Sequence, residues 1–320
     1  MNKTICELFA GVGGFRLGFD RLASGWTTNW FSQWEPGKRV QWAHDCYVEH
    51  YGDLPDINGE YHTGDDISIV DKSSIPDHSL LVGGFPCQDY SVAHTLASSK
   101  GIEGKKGVLW WQIRDILEVK RPPFCLLENV DRLLKSPASQ RGRDFGVILA
   151  CFSNLGYSVE WRVVNAAQYG AAQRRRRTFI FAYHKDTVYS NKMSKLSAED
   201  IVKDKGFMVS AFPISDIENM HSTEISTDLV EVSDKFAFSF ENAGYMTNGK
   251  ITTAKIKERE EESIKLGQIL EREQVAEKYF ITSDKMEKWS YLKGAKKIDR
   301  TSANGHKYVF SEGPVAFPDP

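Results

Sequence analysis

Hydrophobic positions along the first 183 residues follow two alternating rhythms. Short apolar runs bounded by glycine or proline predict buried strands, and longer stretches with a 3.6-residue period predict helices. "TICELF", from Thr4, is such a run and leads into a glycine-rich turn; "FRLGFDRLA" after it is helical in period. "TTNWFSQWE" reads as a second strand, "VQWAHDCYVEHY" as a helix, and a third strand is expected ahead of Asp66. "LLVGGF" is then the fourth strand, "VLWWQIRDILEVK" a helix and "PFCLLENV" the fifth strand. "FGVILACFSNLGY" predicts a helix closed by Gly156, and "SVEWRVVNA" and "TFIFAY" are two last strands. Strands alternating with helices imply an α/β domain, a mostly parallel sheet with helices on both faces.

After Tyr183 the pattern weakens. "HKDTVYSNKMSKLSAEDIVKDKG" is polar, and the charge run "KIKEREEESIKLGQIL" predicts a solvated helix or loop. Aromatic residues and lysines interleave in "KWSYLKGAKK" and "NGHKYVF", a composition that suits either a nucleic acid or plain solvent. The expected division is a catalytic and cofactor-binding domain over residues 1–183 and a variable region over residues 184–320.

Composition narrows the class. A 41% hydrophobic content is enough for a real core. The net charge of -2 supplies no global basic field, so nucleic acid would have to meet a local basic face. Five cysteines, scattered and without a CxxC pair, argue against a disulfide framework or a zinc site and fit a reducing cytosol. The start lacks a long apolar segment and no run reaches membrane-spanning length, so a soluble cytoplasmic protein with no membrane partner and no metal is expected.

"ELFAGVGGFRLGFD" places Gly11, Gly13 and Gly14 directly after the first strand, where glycine permits a tight turn and close approach to a ligand. Glu35 follows at roughly the spacing of a ribose-binding acid, Trp34 offers a flat face to adenine, and Asp66 could meet the adenine amino group. Together they favour an adenosine cofactor without separating a dinucleotide from S-adenosylmethionine. Bulky Phe9 and Phe15, and the lack of a nearby Ser, Thr or Lys for phosphate, lean towards a sulfonium methionine.

"GGFPCQDYS" places Cys87 after the fourth strand, at the carboxyl edge where open α/β sheets bind ligands. It is either a packing thiol or a nucleophile. The loop after it carries Gly101, Gly104 and Gly107 with Lys100, Lys105 and Lys106, which reads as a phosphate-touching lid or a surface loop. Glu128 ends an apolar strand; it needs a salt-bridge partner there, or serves as a general acid with its pKa raised by desolvation. In "QRRRR", Arg175 and Arg177 share one strand face and Arg174 and Arg176 the other. Such a run is solvated or phosphate-bound, or else holds an anionic intermediate and lowers a thiol pKa.

In this order and spacing, "ELFAGVGGF", "GGFPCQDYS", "ENV" and "QRRRR" resemble the motif set of DNA cytosine-5 methyltransferases, over residues 4–183. The resemblance implies a Rossmann-like S-adenosylmethionine-dependent methyltransferase fold with an antiparallel last strand. A smaller irregular C-terminal region would lead into a target-recognition domain. It implies that Cys87, after Pro86, attacks carbon 6 of a cytosine flipped out of double-stranded DNA, because the ring face is hidden in the stack. Carbon 5 then takes methyl from S-adenosyl-L-methionine. Glu128 would hold and protonate ring nitrogen 3, Asn129 would order the Pro-Cys loop, and Arg175 and Arg177 would face the base. Gln88 and Ser91 match DNA-meeting loop positions, joined by Lys100 and Lys105. Phe9, Ala10, Gly11, Gly13, Gly14, Trp34, Glu35, Asp66, Ile67 and Gly84 match the cofactor pocket. A role in restriction–modification is the expected setting.

Three departures stand out. The family often has Asp where Glu7 stands. Its Glu-aromatic-Asp order appears here as Gln33-Trp34-Glu35, leaving open which side chain meets the ribose. Its members continue into a further conserved block and a Gly-Asn-containing helix, neither of which is read before Pro320. The readings at this point are a truncated chain, one half of a split enzyme completed by a second polypeptide, or a decayed copy that only binds. The competing substrate is tRNA, and the competing class is a nicotinamide oxidoreductase, which leaves Pro-Cys-Gln and Glu-Asn-Val without a purpose.

Overall fold

The computed structural model describes residues 2–22, 24–85, 109–293, 296–301 and 305–312. By contacts the chain divides into two units, Met1–Asn165 with Arg175–Arg259, and Ala166–Arg174 with Glu260–Pro320.

The first unit is built on a nine-stranded sheet. Its strands are β1 (Thr4–Leu8), β2 (Thr27–Ser32), β3 (Leu80–Gly84), β4 (Phe124–Val130), β5 (Tyr157–Asn165), β6 (Arg176–His184), β7 (Ile214–Glu224), β8 (Ala243–Thr247) and β9 (Lys250–Glu258). They lie in the order β2-β1-β3-β4-β6-β5-β8-β9-β7. The β2, β1, β3 and β4 strands are parallel, and every pairing from β4–β6 onward is antiparallel. Helices α1 (Gly14–Arg21), α2 (Trp42–Tyr51), α3 (Leu109–Lys120) and α4 (Arg143–Asn154) accompany the parallel part.

Strand side chains alternate between the two faces. Cys6, Leu8, Leu81, Cys125 and Leu127 join Trp110, Ile113, Phe145 and Phe152 of α3 and α4 in the largest apolar cluster. On the other face, Ile5, Leu80 and Val82 pack with Phe15 and Phe19 of α1. The parallel strands thus pack on both sides; β3 reads as a continuous apolar run, while β2 and β4 mix buried with half-buried positions.

The register sets the carboxyl ends level. Leu8 pairs with Gly83, and Gly84 with Glu128. Gly83 is required at this crossing, because a Cβ there would stand 2.8 Å from the Leu8 carbonyl oxygen.

Two expectations need correction. Among the described residues no strand lies between α2 and β3, so "LLVGGF" is the third strand and "PFCLLENV" the fourth. The segment ahead of Asp66 is too polar to enter the sheet and is held by side-chain turns instead: the Asn58 and Glu60 amides donate to Asp56 at 2.7 and 3.0 Å. Secondly, residues 184–259 do not leave the sheet. The β8, β9 and β7 strands extend it, and Met193, Ile201, Met208 and Tyr245 bury against Phe181 and Tyr183. Only β7 is largely exposed; polar residues interrupt the apolar positions of β7 and β9, and β8 is short, so the signal is weak. Ionisable Glu160 of β5 is buried here, accepting from the Tyr189 hydroxyl at 3.1 Å and the Met208 amide at 3.0 Å.

The second unit contains a helix, Ser283–Lys293, and an antiparallel pair, β10 (Lys296–Thr301) with β11 (Lys307–Glu312). The Lys296 ammonium donates to the carbonyls of Tyr291 and Leu292 at the end of that helix, where a cation is favoured. Among the described residues, no helix is long and apolar enough to cross a membrane.

The sheet extension gives a direct stability test. A Cβ on Gly244 of β8 would fall 2.1 Å from Trp161 Cζ2 and 2.5 Å from the Thr252 carbonyl. Gly244→Ala is expected to cost about 1–3 kcal/mol through overpacking. Thermal unfolding reads this, and an unchanged Tm would count against the packing described.

Candidate active site and cofactor turn

The turn after β1 bends by left-handed backbone at Phe9, Gly11 and Gly13, with φ of 55, 57 and 89°. The Ala10 amide donates to the Ser32 carbonyl of β2 at 3.1 Å, and the Gly13 amide to the Ala10 carbonyl at 2.9 Å. A Cβ on Gly13 would stand 2.7 Å from the Tyr51 ring, so this position admits no side chain on steric grounds as well as by its φ. Among the described residues, a Cβ on Gly11 or Gly14 would meet nothing within 4 Å. The turn thus offers bare backbone to open space.

Gln33, at the end of β2, reaches this turn: the Gly11 amide donates to its Oε1 at 2.7 Å. Glu35 does not. Its Oε2 accepts the Ala43 amide at 3.2 Å at the start of α2, and the Gln41 side chain bridges its backbone N–H and carbonyl. Trp34 is half-buried between them. The Gln33 amide donates to the Thr63 carbonyl at 2.8 Å, tying the turn to the segment that carries Asp66 and Ile67. There the Ser68 amide donates to Asp66 Oδ1 at 3.0 Å, Ile67 is buried, and the Lys72 ammonium donates to the Ile67 and Val70 carbonyls.

Level with this turn stand the ends of β3 and β4. Asn129 is buried, and its Nδ2 donates to the Phe85 carbonyl at 3.0 Å while its Oδ1 accepts the Val130 amide at 2.8 Å. The strand β4 therefore fixes the last described residue before Pro86 and Cys87. Glu128 points to the other face. The Arg177 Nε meets its Oε1 at 2.7 Å, and the Arg175 guanidinium lies 3.7 Å from the same oxygen. Arg176, on the opposite side of the strand, pairs with Asp131 at 3.2 Å. The alternation expected of the arginine run is thus realised at Arg175, Arg176 and Arg177. Gly84 lies across from Glu128, and a Cβ there would approach its Oε2 to 3.4 Å.

Pro86, Cys87, Gln88, Ser91, Lys100 and Lys105 lie outside the described residues. Of the cysteines within them, Cys6, Cys125 and Cys151 are buried, and burial pushes all three thiols up, Cys151 to about 11. A thiol so placed is a poor nucleophile. Asp56, Glu60 and His62 lie close enough to share a cation, but His62 already bonds Asp65 and Glu60, and Asp56 accepts turn amides.

Sequence reasoning noted Glu7 only as a departure and passed over Tyr47. Glu7 is 1% exposed beneath the glycine turn and accepts the Tyr47 hydroxyl at 3.0 Å. The available signal was a lone acid inside the apolar run of β1, which has to be partnered when buried.

Comparison with known proteins places these features in a family context. The profile of C-5 cytosine-specific DNA methylases matches residues 3–314. The Type II methyltransferase M.Sau3AI of Staphylococcus aureus is 47% identical over 326 residues, covering all of this chain and 77% of that protein. The Type II methyltransferase M.NgoBI of Neisseria gonorrhoeae is 38% identical over 185 residues, 57% of this chain and 51% of that protein. Among solved structures, the S. pombe Dnmt2 methyltransferase is 16% identical with a TM-score of 0.49, over 90% of this chain and 65% of that one.

The Asn129 tether predicts a stability loss. Asn129→Ala leaves the buried Phe85 carbonyl and the Val130 amide without this partner, at a cost of about 1–3 kcal/mol. A denaturant midpoint equal to that of the wild type would show that the tether carries no weight.

Proposed function

The chain belongs to the C-5 cytosine-specific DNA methylase family, and we propose that it transfers a methyl group from S-adenosylmethionine to carbon 5 of a cytosine in duplex DNA. The observation that carries this reading is the edge formed by β3 and β4. Asn129 holds the residue before Pro86-Cys87, and Glu128 stands beside it between two guanidiniums. A nucleophile, an acid and fixed cations are what addition to an electron-poor ring requires.

The glycine turn fits the cofactor. Bare backbone faces open space at Gly11 and Gly14, Gln33 is directed at the Gly11 amide, and Trp34 follows it. We read Gln33, whose side chain reaches the glycine turn, as the residue that meets the ribose hydroxyls; the Glu35 carboxylate is directed at the start of α2 instead. When bound, S-adenosylmethionine supplies an electrophilic methyl group.

The chain's own groups do the rest. The Cys87 thiolate forms a bond to carbon 6 of a base extruded from the helix, which raises electron density at carbon 5. Glu128 holds ring nitrogen 3 and balances the charge that would build there, and Arg177 steadies the Glu128 carboxylate at 2.7 Å. Loss of the carbon 5 proton and departure of the Cys87 sulfur restore the ring. The relatives' description as Type II methyltransferases supports a role in restriction–modification, guarding DNA by methylation.

Two variants test the roles. Cys87→Ala is expected to abolish transfer of labelled methyl to duplex DNA while S-adenosylhomocysteine binding persists; methylation by this variant would refute the mechanism. Arg177→Ala is expected to lower kcat about 10²–10³-fold, the range for losing one preorganised charge partner. An unchanged kcat would remove Arg177 from the reaction.

A further inference from the structure

Behind the cofactor turn lies a polar group that the proposed reaction does not use. Thr63 is fully buried in the segment between α2 and β3. Its hydroxyl donates to Asp53 Oδ1, which also accepts the Leu54 amide at 2.8 Å. The His44 Nε2 of α2 lies 3.0 Å from the same hydroxyl. A hydroxyl has one proton to give, and here it goes to the carboxylate, so His44 Nε2 carries the proton of the second bond. The Thr63 carbonyl accepts the Gln33 amide at 2.8 Å. One residue thus meets α2, the end of β2 and the chain leading into Asp66.

The His44 ring is itself held. It stacks on Phe31 of β2 with centroids 5.7 Å apart, and a Cβ on Gly64 would stand 3.1 Å from its Nε2. Gly64 therefore lies against the ring. Asp66 follows through tight turns, in which the Asp65 amide donates to the His62 carbonyl at 3.2 Å and the Ile69 amide to the Asp66 carbonyl at 2.9 Å. Residues 52–79 contain no strand or helix, so no ladder sets the position of Asp66 and Ile67. Side-chain bonds of the kind Thr63 makes have to do so.

We propose, resting on the cofactor reading above, that Thr63 is a positioning residue for the adenosine part of the cofactor. Its carbonyl fixes Gln33, whose side chain meets the glycine turn. Its hydroxyl, through His44 and Asp53, anchors the segment that carries Asp66 and Ile67. The two sides of the adenosine site are thereby held at one spacing. A binding group keeps its geometry only when the groups behind it are locked by packing and hydrogen bonds. Without the hydroxyl, the His44 Nε2–H and the Asp53 oxygen lose this partner, and the segment shifts to find others. The β3–β4 edge keeps its own ties, from Asn129 to Phe85 and from Arg177 to Glu128. Loss of the hydroxyl therefore weakens cofactor binding and spares the chemical step.

Thr63→Val keeps the shape of the side chain and removes its hydrogen bonds, whereas Thr63→Ser keeps the hydroxyl. Calorimetric titration with S-adenosylhomocysteine, joined to kcat and KM for methyl transfer to duplex DNA, compares them. Thr63→Val is expected to weaken S-adenosylhomocysteine binding and raise the KM for S-adenosylmethionine about tenfold, the weight of one hydrogen bond in an equilibrium. Its kcat at saturating cofactor and its KM for DNA are expected to match the wild type. Thr63→Ser is expected to bind as the wild type does. A merely structural role would instead reduce kcat and binding stoichiometry together, at unchanged Kd. That result, a Thr63→Val Kd equal to the wild-type value, or a Thr63→Ser loss as large as that of Thr63→Val overturns the proposal and leaves the cofactor reading intact. No binding by the wild-type protein overturns both. Should Thr63→Val fail to fold, His44→Leu removes the donor to the hydroxyl at a part-exposed position, and an unchanged Kd there overturns the proposal equally.

Discussion

The parallel pairing of β1, β3 and β4 is the constraint on which the rest depends. In parallel strands the carboxyl ends all emerge on one side, and the register here sets Leu8 beside Gly83 and Gly84 beside Glu128. The glycine turn leaves β1, the Phe85 carbonyl leaves β3, and Glu128 and Asn129 end β4, all along one edge. The approach is close enough that Gly83 cannot carry a side chain. Slipping β4 by one residue would exchange the directions of Glu128 and Asn129, turning the tether into solvent and the acid into the core.

The two acids of this edge meet opposite environments. Glu128 remains part-exposed and takes two arginines from the run that opens β6. Glu7 is buried beneath the turn, where it accepts the Tyr47 hydroxyl, and its other oxygen has no hydrogen-bond partner among the described residues. The first arrangement ties the acid to two guanidiniums at the sheet edge. The second leaves an acid buried behind the glycine turn, held by the Tyr47 phenol. Antiparallel β6 makes the first possible, since its reversed direction brings Arg177 across from Val130 at the same edge.

Much of this was legible in the sequence, and the reasons are local. The strands β1 to β6 were visible because their buried positions are rich in apolar, β-branched and aromatic residues bounded by turn residues. The positions of Gly11, Gly13, Glu128, Asn129 and the arginine run followed from motif and alternation. Other features were hidden for physical causes. Polar residues dilute the pattern of β7 and β9 and β8 is short, and the boundary read at residue 184 falls inside one packed unit. The strand expected before Asp66 proved to be a series of side-chain turns. That the Gln33 side chain reaches the Gly11 amide while Glu35 turns to the start of α2 is a tertiary fact that spacing does not carry.

The central claim is that Cys87 forms a covalent bond to the base beside Glu128. The most direct measurement uses duplex DNA in which cytosine carries fluorine at carbon 5. Fluorine cannot leave as the carbon 5 proton does, so a methylated adduct cannot resolve. The account predicts a stable protein–DNA adduct that forms only with S-adenosylmethionine present and maps by mass spectrometry to Cys87. No adduct under those conditions, or an adduct at another cysteine such as half-buried Cys46, would contradict it.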